Sequence, residues 1–270
     1  MTRSLVQNQF GANAAAYATS DVHARGESLA MLVAMSAPRP EWVGLDVATG
    51  AGHMALAFSP YVAHIIASDI TEEMLAEARA LADKGGHSNV ETAVARAERL
   101  PFPDQTFDLV CCRLAAHHFL DVAAFVSEAV RVLKPGGTFA LVDNVSPDAT
   151  TSPGLDRDAL RTAGIVYNQF EKLRDPSHGR ALTIADWDEL VADAGLAITG
   201  REFVVKEMAF GPWVQRMACD AATVARLTAM LDRSPDNARG GLVAFLMPRD
   251  HAGDVWFSLR EMLLVARKPR

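Results

Sequence analysis

The stretch Val43-Gly44-Leu45-Asp46-Val47-Ala48-Thr49-Gly50-Ala51-Gly52-His53 constrains the fold of this chain more than any other. An apolar run ends in a carboxylate, then turns through two glycines into a segment that reads as a helix. Glycine reaches positive φ without a Cβ clash and lets a ligand lie against bare backbone. A Gly-x-Gly turn between strand and helix therefore builds a floor for a nucleotide-like ligand, with amide N–H groups presented at the helix start. Such turns are common, so the weight of this one comes from what stands downstream.

Asp46 narrows the ligand. A dinucleotide site offers its glycine loop to a pyrophosphate, and a carboxylate at the loop's mouth would repel it. The same carboxylate suits a ligand that is cationic there, as S-adenosylmethionine is, with its ammonium and sulfonium. The plainer reading is that Asp46 only hydrogen-bonds the amides of its own loop. Asp69 lies nineteen positions after Gly50, at the end of the next apolar run, where an acid accepts hydrogen bonds from the ribose hydroxyls of an adenosyl group. Its alternative role is that of an acid near a helix N-terminus, stabilised by the dipole. Ile70 and Met74 are spaced to pack on an adenine ring, and both also fit a core face.

Bulk properties set limits. The chain has 270 residues, half of them hydrophobic, and a net charge of −7 without a basic run. That size suits one domain with insertions, and that charge argues against a nucleic-acid partner. Three cysteines, with Cys111 and Cys112 adjacent, form neither a disulfide framework nor a zinc spacing, so no metal is expected. The apolar run Leu29–Met35 is too short to span a bilayer. No secretory signal is apparent, so a cytoplasmic enzyme without membrane partners is the expectation. Whether it is a homo-oligomer stays open.

Along the chain, residues 1–40 suggest one or two helices ahead of the core, with Phe10 on a segment that could close over a site. Strands are expected at 43–47, 64–68, 89–94, 107–112, 138–142, 197–205 and 257–266. Helices are expected at 53–59, from Thr71 to Gly85-Gly86, from Asp121 to Leu133, from Thr183 to near Gly195, and at 221–231. Lys134-Pro135-Gly136-Gly137 reads as a helix breaker. Alternation with short connections implies an α/β, doubly wound, mostly parallel sheet. Segments 146–182 and 209–254 read as substrate-side insertions on a single domain whose cofactor core spans 41–145.

The motifs carry a resemblance. Leu45-Asp46-Val47-Ala48-Thr49-Gly50-Ala51-Gly52, Asp69-Ile70, Ala97-Glu98-Arg99-Leu100-Pro101-Phe102, Phe107-Asp108 and Arg131-Val132-Leu133-Lys134-Pro135-Gly136-Gly137 together resemble the class I S-adenosylmethionine-dependent methyltransferases. The nearest group is that of the ubiquinone/menaquinone-biosynthesis methyltransferases. The likeness covers roughly residues 40–145, and Asn168–His178 is similar to a stretch in a small-molecule subset of that group. It implies a Rossmann-like seven-stranded sheet with an antiparallel last strand. Asp46, Ala48, Gly50, Gly52, Asp69, Ile70 and Met74 are the candidate cofactor contacts, and the resemblance implies that Ala97 offers its N–H to adenine. Arg96 stands where the family usually carries an acid, and a guanidinium cannot accept from the adenine amine. Glu98 or backbone would then take that role, unless stacking alone holds the ring. Arg113 falls where the family binds the methionine portion; a surface or ion-pair role for its side chain is the alternative.

Methyl transfer from a sulfonium is an in-line displacement in which alignment and exclusion of water dominate. A base is needed only when the nucleophile carries a proton, and histidine titrates in the useful range. His117 and His118 follow the fourth strand at the carboxyl edge of the sheet, where Asp143 and Asn144 also arrive. His178 lies in the first insertion. His118 and His178 are the candidate catalytic residues, each with a structural hydrogen-bonding role as its alternative. Tyr167, Phe210 and Trp213 are candidates for the wall of an apolar or aromatic acceptor's pocket, with ordinary packing as the counterpart. Two rivals remain: a nicotinamide-dependent oxidoreductase, since Gly50-Ala51-Gly52-His53-Met54-Ala55 fits G-x-G-x-x-A, and a cofactor-binding scaffold that transfers no methyl.

Overall fold

The computed structural model describes residues 4–18, 26–233 and 240–270. They fall into two compact units, one made of Met1–Asp143, Asp188–Glu202 and Met262–Arg270, the other of Asn144–Trp187 and Phe203–Glu261. Both expected insertions, 146–182 and 209–254, belong to the second unit.

The strands are β1 (Val43–Val47), β2 (His64–Asp69), β3 (Val90–Val94), β4 (Phe107–Arg113), β5 (Leu133–Asn144), β6 (Ala197–Ala209), β7 (Arg249–His251) and β8 (Asp254–Arg267). They order as β3-β2-β1-β4-β5-β8-β6, with β7 paired to β8, which makes eight strands among the described residues. The seven expected strands are all present, and β7 is the addition. Pairs β1–β2, β1–β4, β2–β3 and β4–β5 are parallel. β8 runs against β5. Gly136 N–H donates to the Lys268 carbonyl at 2.8 Å while Val145 N–H donates to that of Arg260 at 3.0 Å, so rising numbers on one strand meet falling numbers on the other.

The helices of the first unit include α1 (Leu5–Ala18), α2 (Glu27–Ser36), α3 (His53–Phe58), α4 (Glu72–Gly85) and α5 (Val122–Val132). Local chemistry sets their ends. Ser4 and Gln7 form a reciprocal capping box at α1, with Gln7 N–H on Ser4 Oγ at 3.2 Å and Ser4 N–H on Gln7 Oε1 at 3.0 Å. Asp121 caps α5 through Ala124 N–H at 2.9 Å, and its buried stripe is Phe125, Val126, Ala129 and Val132. Gly86, at φ +71°, lets α4 end in the left-handed region.

Helix α5 ends at Val132, directly ahead of the block Lys134-Pro135-Gly136-Gly137, as expected. The block lies within β5, where the β4–β5 register shifts between Phe107 and Leu109 and Gly136 takes φ +79°. The turn residues are absorbed as a bulge, a use of glycine and proline that strand pairing permits. Lys134 Nζ meets Asp108 at 2.7 Å and fastens the bulged segment to β4.

The second unit holds α6 (Arg157–Arg174), α8 (Phe210–Gln215), α9 (Ala221–Met230) and α10 (Gly240–Leu246). α7 (Ile184–Asp193) opens with the expected box, Thr183 N–H on Asp186 Oδ2 at 2.9 Å and Asp186 N–H on Thr183 Oγ1 at 3.0 Å. Eighteen-residue α6 lies inside a segment that reads as irregular from sequence. Its Tyr167 and Phe170 join Phe210, Trp213, Phe245 and Phe257 in one buried cluster. Phe170 stacks on Trp213 with centroids 5.0 Å apart. Tyr167, Phe210 and Trp213 are thus the hydrophobic core of this unit and do not form an open pocket wall, because an insertion that folds compactly needs its large apolar groups inside.

Candidate active site

The site grows from the reversal of strand order at β1, flanked by β2 on one side and β4 on the other. In open α/β sheets this point leaves a crevice at the carboxyl ends of the strands. After β1 the chain passes through Ala48 (φ +55°), Gly50 (φ +55°) and Gly52 (φ +89°) before entering α3.

The two glycines do different work. A Cβ built on Gly52 would come 2.9 Å from Ala78 Cβ, so this glycine exists to let the loop pack against α4. A Cβ on Gly50 would meet nothing within 4 Å. The open cradle is at Gly50, and it is the position where a ligand can approach backbone.

Asp46 departs from the ligand-facing role. It is 1% exposed. Its Oδ2 accepts from the Thr49 hydroxyl and from Ala55 N–H at 3.0 Å, and Cys111 Sγ lies 3.7 Å from Oδ1. The side chain braces the glycine loop from below and presents no face to the crevice. Burial raises its pKa to about 7 against the hydrogen bonds that lower it, so near neutrality it is not a full negative charge. The plainer of the two sequence readings describes it. The loop is too tight to leave room between this carboxyl and its own backbone.

Asp69 stands at the rim. Its Oδ2 accepts from Gly50 N–H at 2.9 Å and its Oδ1 from Thr71 N–H at 2.8 Å. Each carboxylate oxygen retains further acceptor capacity beyond those bonds. Burial raises its pKa, with those backbone bonds opposing. Ala95 N–H donates to the Asp69 carbonyl at 3.0 Å, which seats the start of the 95–100 loop beside it.

That loop carries Arg96, Ala97 and Glu98. Arg96 is half-exposed and pairs with Glu98 at 3.3 Å. The other oxygen of Glu98 accepts from Leu120 N–H at 3.0 Å, which ties the loop to the one following β4. Arg131 of α5 fixes the far end. It donates to the Leu100 and Phe102 carbonyls, each at 2.9 Å, and pairs with Glu128 and Asp104, each at 2.7 Å. Glu128 in turn accepts from Leu100 N–H at 2.7 Å, and its bond to Arg131 holds its carboxyl below the usual range. In the sequence Arg131 is legible only as part of a motif; nothing local says that its guanidinium closes this loop.

Met74 is 2% exposed and belongs to the core stripe of α4, not to the crevice. Ile70 is half-buried, and its carbonyl accepts from Gln7 Nε2 at 3.1 Å, so α1 lies along this rim. α1 also brings Phe10 edge-on to His118, with centroids 5.1 Å apart. Arg113 ends β4 in register with Val142.

At the ends of β4 and β5 the structure makes a pair of groups. His117 Nδ1 lies 2.5 Å from Asp143 Oδ1, and His117 N–H donates to Asp143 Oδ2 at 2.9 Å. Both side chains are largely buried. The His118 ring sits beside that of His117, centroids 4.2 Å apart. His178 lies in the second unit, 3% exposed, with Nε2 at 2.9 Å from Asn168 Oδ1. That oxygen also accepts from Ala181 N–H, so Nε2 carries the proton in this bond. Nε2 of His178 is therefore a donor within its own unit in this arrangement. Adjacent histidines cannot be told apart in a sequence; only the strand register decides that His117, not His118, meets Asp143. Among the described residues no His, Cys, Asp and Glu group could hold a metal ion.

A glycine cradle at the β1 reversal, an acid closing the second strand and an α/β sheet with an antiparallel strand beside β5 define the architecture of a class I nucleoside-binding transferase. Comparison with known proteins carries this to the family. Residues 45–141 match the family described as "Methyltransferase domain". The uncharacterized methyltransferase YcgJ of Bacillus subtilis is 37% identical over 86% of this chain and 88% of its own length. A C-methyltransferase of ubiquinone/menaquinone biosynthesis, UbiE of Brucella canis, is 40% identical over 56% of this chain and 55% of its own. Among solved structures, a methyltransferase candidate from Bacillus halodurans superimposes with a TM-score of 0.81 at 37% identity, over 91% of this chain and all of that one. The chain belongs to the class I S-adenosylmethionine-dependent methyltransferases. The nicotinamide reading falls with that assignment.

Proposed function

We propose that this enzyme transfers the methyl group of S-adenosylmethionine to a small apolar or aromatic acceptor, with the adenosyl group lying over Gly50 and its ribose on Asp69. The observation that carries the reading is the Gly50 cradle, open for 4 Å where a Cβ would stand and edged by the Asp69 carboxylate. When bound, the cofactor supplies a methyl already activated by its sulfonium. Gly50 then gives its backbone surface, Asp69 takes the ribose hydroxyls and Ala97 offers its N–H to adenine. Glu98 is engaged with Arg96 and Leu120 N–H, and each of its oxygens keeps acceptor capacity for the adenine amine beside backbone and stacking.

The acceptor side is supported by the aromatic groups gathered at the ends of β4 and β5, Phe10 edge-on to His118 and His118 beside His117. An acidic chain does not favour a polyanionic acceptor. Asp143 orients His117 so that Nδ1–H donates and Nε2 carries the lone pair, the arrangement of a general base for an acceptor that must lose a proton. The C-methyltransferase relatives act, by name, in quinone biosynthesis, which fits an aromatic ring as acceptor.

Titration calorimetry with S-adenosylhomocysteine tests the cofactor half. Asp69→Ala should lose about 1.5–3 kcal/mol of binding, and unchanged affinity refutes the ribose role. A panel of phenols, quinols and heteroaromatics, read by release of S-adenosylhomocysteine, tests the other half. Turnover that falls in His117→Ala while cofactor affinity holds supports the base. Binding without turnover on any member favours a scaffold.

A further inference from the structure

β6 ends the strand order, and among the described residues no strand pairs with its outer side. It is thirteen residues long, and Met208 is its one buried residue. Phe203 is 43% exposed and Val205 53%. Side chains two apart on a strand share a face, so these two form one apolar spot on an open edge. Edges of this kind are normally kept short, bulged or charged, because they template pairing with another chain.

The sequence of this edge is complementary to itself. Arg201-Glu202-Phe203-Val204-Val205-Lys206-Glu207 places a plus-minus pair on each side of three apolar residues. Set two copies antiparallel about a two-fold axis through Val204. Arg201 then faces Glu207, Glu202 faces Lys206, and Phe203 faces Val205, each match occurring twice. With the axis at Phe203 or at Val205 no opposite charges face each other. Arg201 already meets Asp188, Lys206 meets Glu261 at 3.0 Å, and Glu207 meets Arg249 and Ser258. Arg201, Lys206 and Glu207 would each gain a second neighbour of opposite charge without losing the first, and exposed Glu202 would gain Lys206. Apolar centre, charged ends and self-complementarity are what an isologous interface requires.

We propose that the chain forms a two-fold homodimer by pairing β6 with β6 of a second copy, in the register centred on Val204. One added strand buries less than the roughly 1,600 Å² of a standard interface, so the association is concentration-dependent. Sedimentation velocity over about a hundredfold range of protein concentration should show monomer passing to dimer. In F203K/V205K like charges face each other twice, and the dimer should be lost. In F203K/V205E the introduced lysine of each copy faces the introduced glutamate of the other, and the dimer should return. Circular dichroism checks that both variants remain folded. Val204→Cys should form a covalent dimer on mild oxidation, at a Cα spacing a disulfide accepts, whereas Ile198→Cys should not exceed the unsubstituted chain. A strictly monomeric protein, a dimer indifferent to the lysine pair, or cross-linking at position 198 in place of 204 overturns the proposal.

Discussion

Gly50 and Gly52 look equivalent in the sequence and are not. Gly52 has φ +89° and Ala78 Cβ standing where its own Cβ would be; Gly50 has φ +55° and open space. Gly52→Ala therefore meets both left-handed strain, about 1–2 kcal/mol, and a contact that α4 must yield to. Its melting temperature should drop well below that of Gly50→Ala. Gly50→Ala meets the same strain alone, but its methyl enters the cradle, so S-adenosylhomocysteine affinity should fall more than stability does. Thermal unfolding beside calorimetric titration separates the two, and equal losses on both readouts for both variants would contradict the division. The same scale explains why Asp46 could not be placed from sequence. Its spacing to the glycines is that of a ligand contact, and its hydrogen bonds to Thr49 and Ala55 are those of a brace.

Among the elements, α5 links sheet and site. Its buried stripe docks it on the sheet, and its exposed side lends Arg131 to the 98–104 loop. Arg131→Lys keeps the charge but loses the planar fork that reaches two carbonyls and two carboxylates at once. Hydrogen exchange should quicken at residues 98–104 and cofactor affinity should fall, with the α5 core unchanged. The pH dependence has a fixed sign. Glu128 is held below its ordinary value of 4.5 by this arginine, so its contribution is present above that pH and lost as pH falls through the depressed value. The wild type should lose more stability than Arg131→Lys on acidification below pH 4.5. α1 gives a second example: the Ser4–Gln7 box fixes its start, and Gln7 and Phe10 then fall on the rim by helical spacing.

For the whole molecule, the buried Asp46 ties global stability to pH in the opposite sense. Its pKa is raised by burial from 3.8 to about 7. Between those values the folded chain binds a proton that the unfolded chain does not, so stability falls as pH rises through that window and levels above it. Asp46→Asn keeps an acceptor for Thr49 and Ala55 and carries no charge at any pH. Chemical denaturation from pH 4 to 8 should show the wild type losing stability relative to this variant up to about pH 7; a constant difference would place the carboxyl outside the buried core. No helix among the described residues is long and apolar enough to cross a membrane. The alternating strands and helices were legible because each boundary is local: the Gly50–Gly52 turn, the Asp121 cap, the Thr183–Asp186 box. The Pro-Gly-Gly block marked the end of α5 but not the early start of β5, because its residues serve a turn and a bulge equally well. Helix α6 was hidden because its apolar stripe, Ala163, Tyr167 and Phe170, is narrow within a polar run. By itself, then, the sequence determined the doubly wound core, the glycine turn and the acid nineteen positions on, since periodicity, capping and φ preference act between near neighbours. The tertiary structure alone decided that Gly50 and not Gly52 faces the crevice, that Asp46 turns inward, that His117 meets Asp143, and that Tyr167, Phe210 and Trp213 are core, because each depends on groups that sheet register and packing bring together from distant parts of the chain.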